Sequence, residues 1–172
     1  MKKILMIIAP VNFRDEECLE PKKIFEENGF NVIIASDLNP GDEAIGMLGG
    51  KVTVDVNIKE VDVDIYDAVI FVGGSGSTIY FNNQVALEIA KNSYEKGKVI
   101  GAICIAPSIL ANAGVLKGKK ATSYPSEKEN IIKKGAEYIE EPVVVYENIV
   151  TANGPKSATR FGKEIVELIK RK

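Results

Sequence analysis

The chain has 172 residues, with 22 Lys and Arg against 24 Asp and Glu, which gives a net charge of −2. This balance argues against a basic nucleic-acid-binding protein, and no apolar run reaches the roughly 18 residues of a transmembrane helix. The chain contains no His and only 2 Cys. This excludes Ser-His-Asp and Cys-His catalysis within one chain, and neither a disulfide scaffold nor a metal site is expected. We expect a cytoplasmic protein with no nucleic-acid partner, no membrane partner and no cofactor.

Short apolar runs alternate with helix-like segments along the chain. In chain order, strands are predicted at 3–9, 31–36, 52–54, 66–72 and 98–103, followed by a hairpin of 143–146 and 149–152. Helices are predicted at 15–28, 85–96, 107–113, 127–134 and 157–172. This alternation predicts one α/β domain over residues 1–172 with a doubly wound, mainly parallel sheet. Ligands bind at the carboxyl ends of strands in such sheets, so the ends after Ala9, Val72 and Ile103 are candidate sites.

Cys104 lies between the strand predicted at 98–103 and the short helix that follows it. Ala102 and Ala106, two residues to either side, are small, as the sharp turn of a nucleophile elbow requires. Pro107 suits the first turn of the helix, whose N–H groups and partial positive charge would lower the pKa of the thiol. A buried core cysteine is the alternative interpretation. Cys18 is expected to be an ordinary thiol that forms no disulfide with Cys104.

Residues 101–111 (GAICIAPSILA) resemble the nucleophile elbow of the ThiJ/PfpI superfamily, which shares its fold with the class I glutamine amidotransferases. The resemblance covers nearly the whole chain and implies a flavodoxin-like, three-layer α/β sandwich. Residues 13–21 (FRDEECLEP) resemble the segment that carries the family's cysteine-contacting glutamate, a role that falls on Glu17. The resemblance implies Cys104 and Glu17 as catalytic residues and a homodimer or higher homo-oligomer as the assembly.

The glycine pair Gly73-Gly74 resembles the family's pair and implies an oxyanion pocket built from the N–H groups of Gly74 and Ile105. The chain is most similar to the Parkinson-associated deglycase branch, but both family histidines are replaced. Ile105 stands where the peptidase branch has His, which argues against a PfpI-type cysteine peptidase. Tyr124 stands where the deglycase branch has a more distant His, so it is a candidate substitute. A core Tyr with a satisfied hydroxyl is the plainer interpretation.

A thiolate beside a protonated Glu17 supports two kinds of chemistry. It can attack small α-oxoaldehydes or glycated adducts while Glu17 passes protons, or it can react with peroxide to give sulfinate. The first predicts a glyoxalase-like or deglycase-like enzyme, and the second a non-enzymatic redox sensor or chaperone. A weaker alternative is that the glycine-rich residues 73–78 bind the phosphate group of a flavin or a nucleotide. A receiver domain is disfavoured because Val72 and Gly73 occupy the strand end where that class carries Asp.

Overall fold

A seven-stranded sheet forms the centre of the computed structural model, which describes residues 1–172. The strands are β1 (Lys3–Ile7), β2 (Val11–Phe13), β3 (Asn31–Ser36), β4 (Glu43–Gly46), β5 (Lys51–Thr53), β6 (Val56–Asn57), β7 (Ala68–Phe71), β8 (Val99–Ile103), β9 (Lys120–Ala121), β10 (Glu137–Tyr138), β11 (Val143–Tyr146) and β12 (Ile149–Ala152). The helices are α1 (Asp15–Glu27), α2 (Gln84–Glu95), α3 (Pro107–Asn112), α4 (Lys128–Lys133) and α5 (Ala158–Lys170). Short 3₁₀ turns lie at Ile58–Glu60, Val63–Ile65, Ser75–Tyr80, Pro125–Glu127 and Pro155–Ser157.

The central sheet has the order β11-β12-β8-β7-β1-β3-β6, and only the β11–β12 hairpin is antiparallel. This confirms the predicted doubly wound, mainly parallel sheet. Each predicted helix and each predicted strand of this sheet is present, with its ends within about two residues of the predicted ones. Both strands of the hairpin have the predicted bounds, and Glu147 adopts a positive φ of 53° at its turn.

The two faces of the sheet carry separate hydrophobic cores, as the alternation of side chains along β1 requires. Leu5 and Ile7 belong to the core beneath α2, α3 and α4, whereas Ile4 and Met6 belong to the core beneath α1 and α5. Both faces are therefore buried, which explains why β1 reads as a continuous apolar run. This packing keeps the carboxyl ends of the central strands fixed relative to one another.

A second, three-stranded sheet of β2, β4 and β5 was not predicted as a sheet, and only β5 was expected as a strand. Asp15 at the start of α1 ties this sheet to the rest of the fold. Its buried carboxylate accepts hydrogen bonds of 2.8 Å from the N–H groups of Leu48 and Gly50, in the turn between β4 and β5. The small pair of β9 and β10 was also missed. None of the five helices combines the length and the apolar character needed to cross a bilayer.

Candidate active site

Three neighbouring strands, β8, β7 and β1, end at one edge of the sheet, and Cys104 follows β8 there. Cys104 has a φ of 64°, a left-handed conformation that costs a non-glycine residue about 1–2 kcal/mol. Its N–H donates to the Ala152 carbonyl at 2.9 Å, and its carbonyl accepts from the Tyr124 N–H at 2.8 Å. The small Ala102 and Ala106 are fully buried to either side. The backbone is thus held in the strained turn of a nucleophile elbow, as the sequence predicts.

Gly73, just beyond β7, brings Glu17 and Cys104 together. A Cβ atom on Gly73 would lie 2.5 Å from Glu17 Oε1, 2.6 Å from the Ile103 carbonyl oxygen and 2.7 Å from Cys104 Cβ. These distances leave no room for any side chain at this position. Glycine is therefore required here for space rather than for backbone conformation, because the φ of Gly73 is not positive.

Glu17 is fully buried, and neither of its carboxyl oxygens makes a hydrogen bond of normal geometry. Burial raises the pKa of Glu17 to about 8, although the nearby Cys104 thiol, Arg14 and the Gly73 N–H each lower it. A buried carboxylate without partners is costly, so the neutral acid is the favoured form at neutral pH. This burial shows that Glu17 is not an exposed glutamate of the kind that commonly occupies the first turn of a helix.

Burial is also the main influence on the pKa of the Cys104 thiol. Burial, together with the charge and hydrogen bonding of an ionised Glu17, raises the pKa of Cys104 to about 12. Beside an ionised Glu17, burial and repulsion therefore outweigh the lowering expected from the start of α3, which has only six residues. The N–H groups of Ile105 and Gly74 do lower the thiol pKa.

The charge on Glu17 decides the direction of its own effect on the sulfur. An ionised Glu17 repels a thiolate, whereas a protonated Glu17 donates a hydrogen bond to it. Because the two groups interact strongly, their protons leave in two steps that belong to the pair. Between these steps the site holds one negative charge and one proton. The chemistry of the site depends on which of the two groups carries that charge.

The glycine-rich residues 73–78 pack against β2 instead of forming an open phosphate cradle. Gly74 has a φ of 101°, and a Cβ atom there would lie 2.3 Å from the Arg14 nitrogen. A Cβ atom on Gly76 would lie 1.9 Å from the Val11 carbonyl oxygen. These close backbone contacts account for the glycines. One N–H of the segment, that of Gly74, faces the sulfur of Cys104, as expected of an oxyanion pocket with Ile105.

A pocket of about 510 Å³ opens over Cys104. Its wall includes Tyr124, whose 46% exposure contradicts the expectation of a tyrosine packed in the core. Three further wall residues, Arg14, Met47 and Glu127, were not predicted. Met47 reaches the pocket because the Asp15-anchored turn brings it there, with its N–H donating to the Phe13 carbonyl at 2.8 Å. The one local signal for Glu127 is its position two residues after the Tyr124-Pro125 pair.

Cys18 lies away from this pocket, in the core beneath α1 and α5. It is fully buried, and burial raises its pKa to about 12. Both cysteines are free thiols. The expectation that Cys18 is not an acidic thiol is confirmed. No group of three or more Cys, Asp or Glu side chains is arranged to hold a metal ion.

A buried acid and a cysteine at a strained strand end, under a pocket at the edge of a parallel sheet, define an α/β protein with a nucleophile elbow. The chain matches the DJ-1/PfpI family over residues 2–168, and it belongs to that family. It is 46% identical to an uncharacterised protein of Methanocaldococcus jannaschii, over 98% of this chain and 83% of the other.

Two further relatives carry functional names. The chain is 38% identical to the deglycase PfpI of Pyrococcus furiosus, over 98% of this chain and 99% of the other. It is 36% identical to YraA of Bacillus subtilis, provisionally named a cysteine protease, over 99% and 100% of the two chains. Among solved structures, a ThiJ/PfpI domain protein from Brachyspira murdochii aligns with a TM-score of 0.96 at 34% identity, over 99% and 97% of the two chains. These likenesses confirm the expected family and flavodoxin-like fold.

Proposed function

We propose that this protein is a cysteine-dependent enzyme that acts on small α-oxoaldehydes or their glycated adducts. The observation that supports this most directly is the fully buried Glu17 beside the elbow cysteine, with a pKa raised to about 8. Such a carboxyl group is protonated at neutral pH and close enough to its pKa to release and regain the proton. The naming of a 38% identical relative as a deglycase supports the same reaction class.

In the proposed reaction, the Cys104 sulfur attacks the aldehyde carbon, and the carbonyl oxygen takes the proton of Glu17 to give a hemithioacetal. The Glu17 carboxylate then removes the hydrogen of that carbon as a proton and returns it to the adjacent carbon. The proton of the new hydroxyl group passes to the oxygen of the adjacent carbon, which leaves a 2-hydroxy thioester. Water hydrolyses the thioester and releases the hydroxy acid and the free thiol. The N–H groups of Gly74 and Ile105 stabilise negative charge that develops beside the sulfur.

In this proposal Glu17 transfers the protons and Tyr124 donates a hydrogen bond, roles that the family's histidines would otherwise fill. The Tyr124 hydroxyl offers an O–H donor to a substrate in the pocket. It lies on the pocket wall, where it can orient a substrate oxygen. Substituting Tyr124 by Phe is therefore expected to lower kcat/KM without abolishing turnover, by roughly tenfold for one lost hydrogen bond.

The decisive test is steady-state turnover of methylglyoxal by purified wild type, Cys104→Ala and Glu17→Gln. Turnover is expected in wild type, absent in Cys104→Ala and strongly reduced in Glu17→Gln, because the amide cannot exchange a proton. Cys18→Ser serves as the matched control, since it removes the other thiol without touching the pocket. Equal turnover in wild type and Cys104→Ala would refute the proposal.

The same site is poorly suited to peptide hydrolysis. Expulsion of an amine requires a general acid, and the chain has no His to provide one, in this subunit or in any second copy. We expect no efficient cleavage of casein or of fluorogenic peptides. Proteolysis that survives rigorous purification and disappears in Cys104→Ala would contradict this expectation.

A redox sensor or chaperone without turnover is the second candidate, and the unpaired carboxyl oxygens of Glu17 favour it. Peroxide first converts the thiolate to a sulfenate and releases water, and a second peroxide converts the sulfenate to a sulfinate. A protonated Glu17 can donate to the sulfinate oxygens. Accumulation of a Cys104 species with two added oxygen atoms, without methylglyoxal turnover, would select the sensor.

We also propose that the protein works in the cytoplasm as a homodimer or a higher homo-oligomer. The family resemblance supports this assembly, and the single chain carries all the residues of the proposed site. Analytical ultracentrifugation at micromolar concentration tests it, and a monomer under those conditions would refute it.

A further inference from the structure

A second carboxyl group, Glu127, lies on the wall of the pocket that contains Cys104. Glu127 is half-buried at the end of the 3₁₀ turn that precedes α4. Its Oε1 accepts a hydrogen bond from the Ser108 hydroxyl, and its Oε2 accepts one from the Ser126 hydroxyl, both at 2.7 Å. Ser108 is fully buried and is itself held by the Asn130 amide at 3.1 Å. The orientation of the carboxylate is thereby fixed from two sides.

This arrangement is not explained by the stability of α4. Glu127 is the residue immediately before α4, where an acidic side chain commonly accepts hydrogen bonds from the first N–H groups of a helix. The Glu127 side chain makes no such bond. It turns instead towards α3 and the pocket, where Ser108 holds it.

The carboxylate of Glu127 also lacks a cationic partner. No Lys or Arg nitrogen lies within ion-pair distance of it, and the adjacent Lys128 pairs with Glu140 at 2.7 Å. The other charged residue on the pocket wall, Arg14, is already paired with Glu16 at 2.6 Å. Glu127 therefore carries the one unneutralised charge on the pocket wall. A carboxylate has about four lone-pair positions, so two remain free after the serine hydroxyls have bound.

We propose that Glu127 is a specificity-determining residue that binds a cationic group of the substrate, a protonated amine or a guanidinium, while the substrate carbon lies at Cys104. The inference rests on the proposed function and narrows its substrate to oxoaldehyde adducts that carry positive charge. The pocket volume of about 510 Å³ supports this, because pockets of this size hold ligands much larger than a three-carbon oxoaldehyde. An amine or guanidine adduct fills more of the pocket and neutralises its free charge.

The test compares alkylation of Cys104 by three reagents of similar size and different charge. These are the cationic 2-bromoethylammonium, the neutral iodoacetamide and the anionic iodoacetate. In each reaction the sulfur forms a bond to a CH₂ carbon, and the halide leaves with the electron pair. Peptide mass spectrometry gives the rate constant at Cys104 in wild type, in Glu127→Gln and in Glu129→Gln. Glu129 is the matched control because it is exposed, carries the same charge and lies two residues away.

Glu127→Gln is expected to lower the ratio of the cationic to the anionic rate constant by about tenfold, equivalent to about 1.4 kcal/mol. The rate with iodoacetamide should stay within about twofold, and Glu129→Gln should leave all three rates within about twofold. An unchanged ratio in Glu127→Gln, or the same fall in Glu129→Gln, overturns the role of Glu127 and leaves the reactive thiol intact. Failure of iodoacetamide to label wild-type Cys104 overturns the proposed function and this inference together.

Discussion

The Glu17–Cys104 pair is expected to release its first proton from sulfur and not from the carboxyl group. The N–H groups of Ile105 and Gly74 favour charge on the sulfur, whereas the Glu17 oxygens have no hydrogen bond of normal geometry. If each N–H contributes about 1.5 kcal/mol to a charged acceptor, the two favour the thiolate by about 3 kcal/mol, or roughly two pKa units. A protonated Glu17 adds a further donor.

The perturbation that tests this is Glu17→Ala, with Glu17→Gln as the matched variant that keeps an N–H donor. Thiolate absorbance near 240 nm, measured against pH, should show a Cys104-dependent step where the pair loses its first proton. If that proton leaves from sulfur, the step lies no higher than the pKa of about 8 to which burial raises Glu17. Loss of a donor worth about 1.5 kcal/mol should raise this midpoint by about one unit in Glu17→Ala. In Glu17→Gln the midpoint should move by less.

Two results would refute this reasoning. The first is a wild-type thiolate signal that appears only above about pH 10, which would place the first negative charge on Glu17. The second is a lower midpoint in Glu17→Ala than in wild type, which would mean that Glu17 acts on the sulfur chiefly by repulsion. Cys18→Ser is the background for the measurement, since burial raises the pKa of Cys18 to about 12.

Three further predictions concern stability and the two thiols. Because the pKa of Glu17 is about 8 when folded and near 4.3 when unfolded, its contribution to stability is fully present below about pH 4.3 and is lost as the pH rises to about 8. Glu17→Gln should remove this fall in the free energy of unfolding, of up to about 1.4 kcal/mol per pH unit, in urea unfolding between about pH 5 and about pH 8. Gly73→Ala should cost at least about 2 kcal/mol in the same assay, whereas Gly97→Ala, which meets no atom within 4 Å but has a φ of 67°, should cost only about 1 kcal/mol. Finally, peptide mapping after mild oxidation should find no Cys18–Cys104 disulfide, and a linked pair of peptides would contradict the position of Cys18 in the core beneath α1 and α5.

The central sheet could be predicted because its strands are continuous apolar runs buried on both faces. The sheet of β2, β4 and β5 could not, because its strands are short and partly exposed. In β2, Val11 is 56% exposed and Asn12 has a φ of 61°, so neither hydrophobicity nor backbone preference marks the strand. Its structure depends on bonds to distant residues, such as the Ile45 N–H that donates to the Pro10 carbonyl at 3.0 Å.

The floor of the candidate site could be predicted from short motifs, because Cys104 and its neighbouring alanines lie together in the sequence. Glu17 was placed by resemblance, and its burial was not visible in an acidic run of three residues. For the same reason the size of the rise in the thiol pKa beside an ionised Glu17 could not be predicted from the motif, since burial is a property of the fold. Met47 and Glu127 were missed because tertiary contacts alone bring them to the pocket wall.

The hydrogen bonds of Asp15 have a consequence for how this pocket can change over evolutionary time. Asp15 holds the turn between β4 and β5 through backbone N–H groups, so the side chains of Met47 and Leu48 take no part in the anchoring. Both side chains are substantially exposed, at 42% and 64%. Mutations at these two positions can accumulate without loosening the turn or disturbing Glu17, two residues further along the same helix. Ligand preference and thiol chemistry are therefore free to diverge independently among descendants of this sequence.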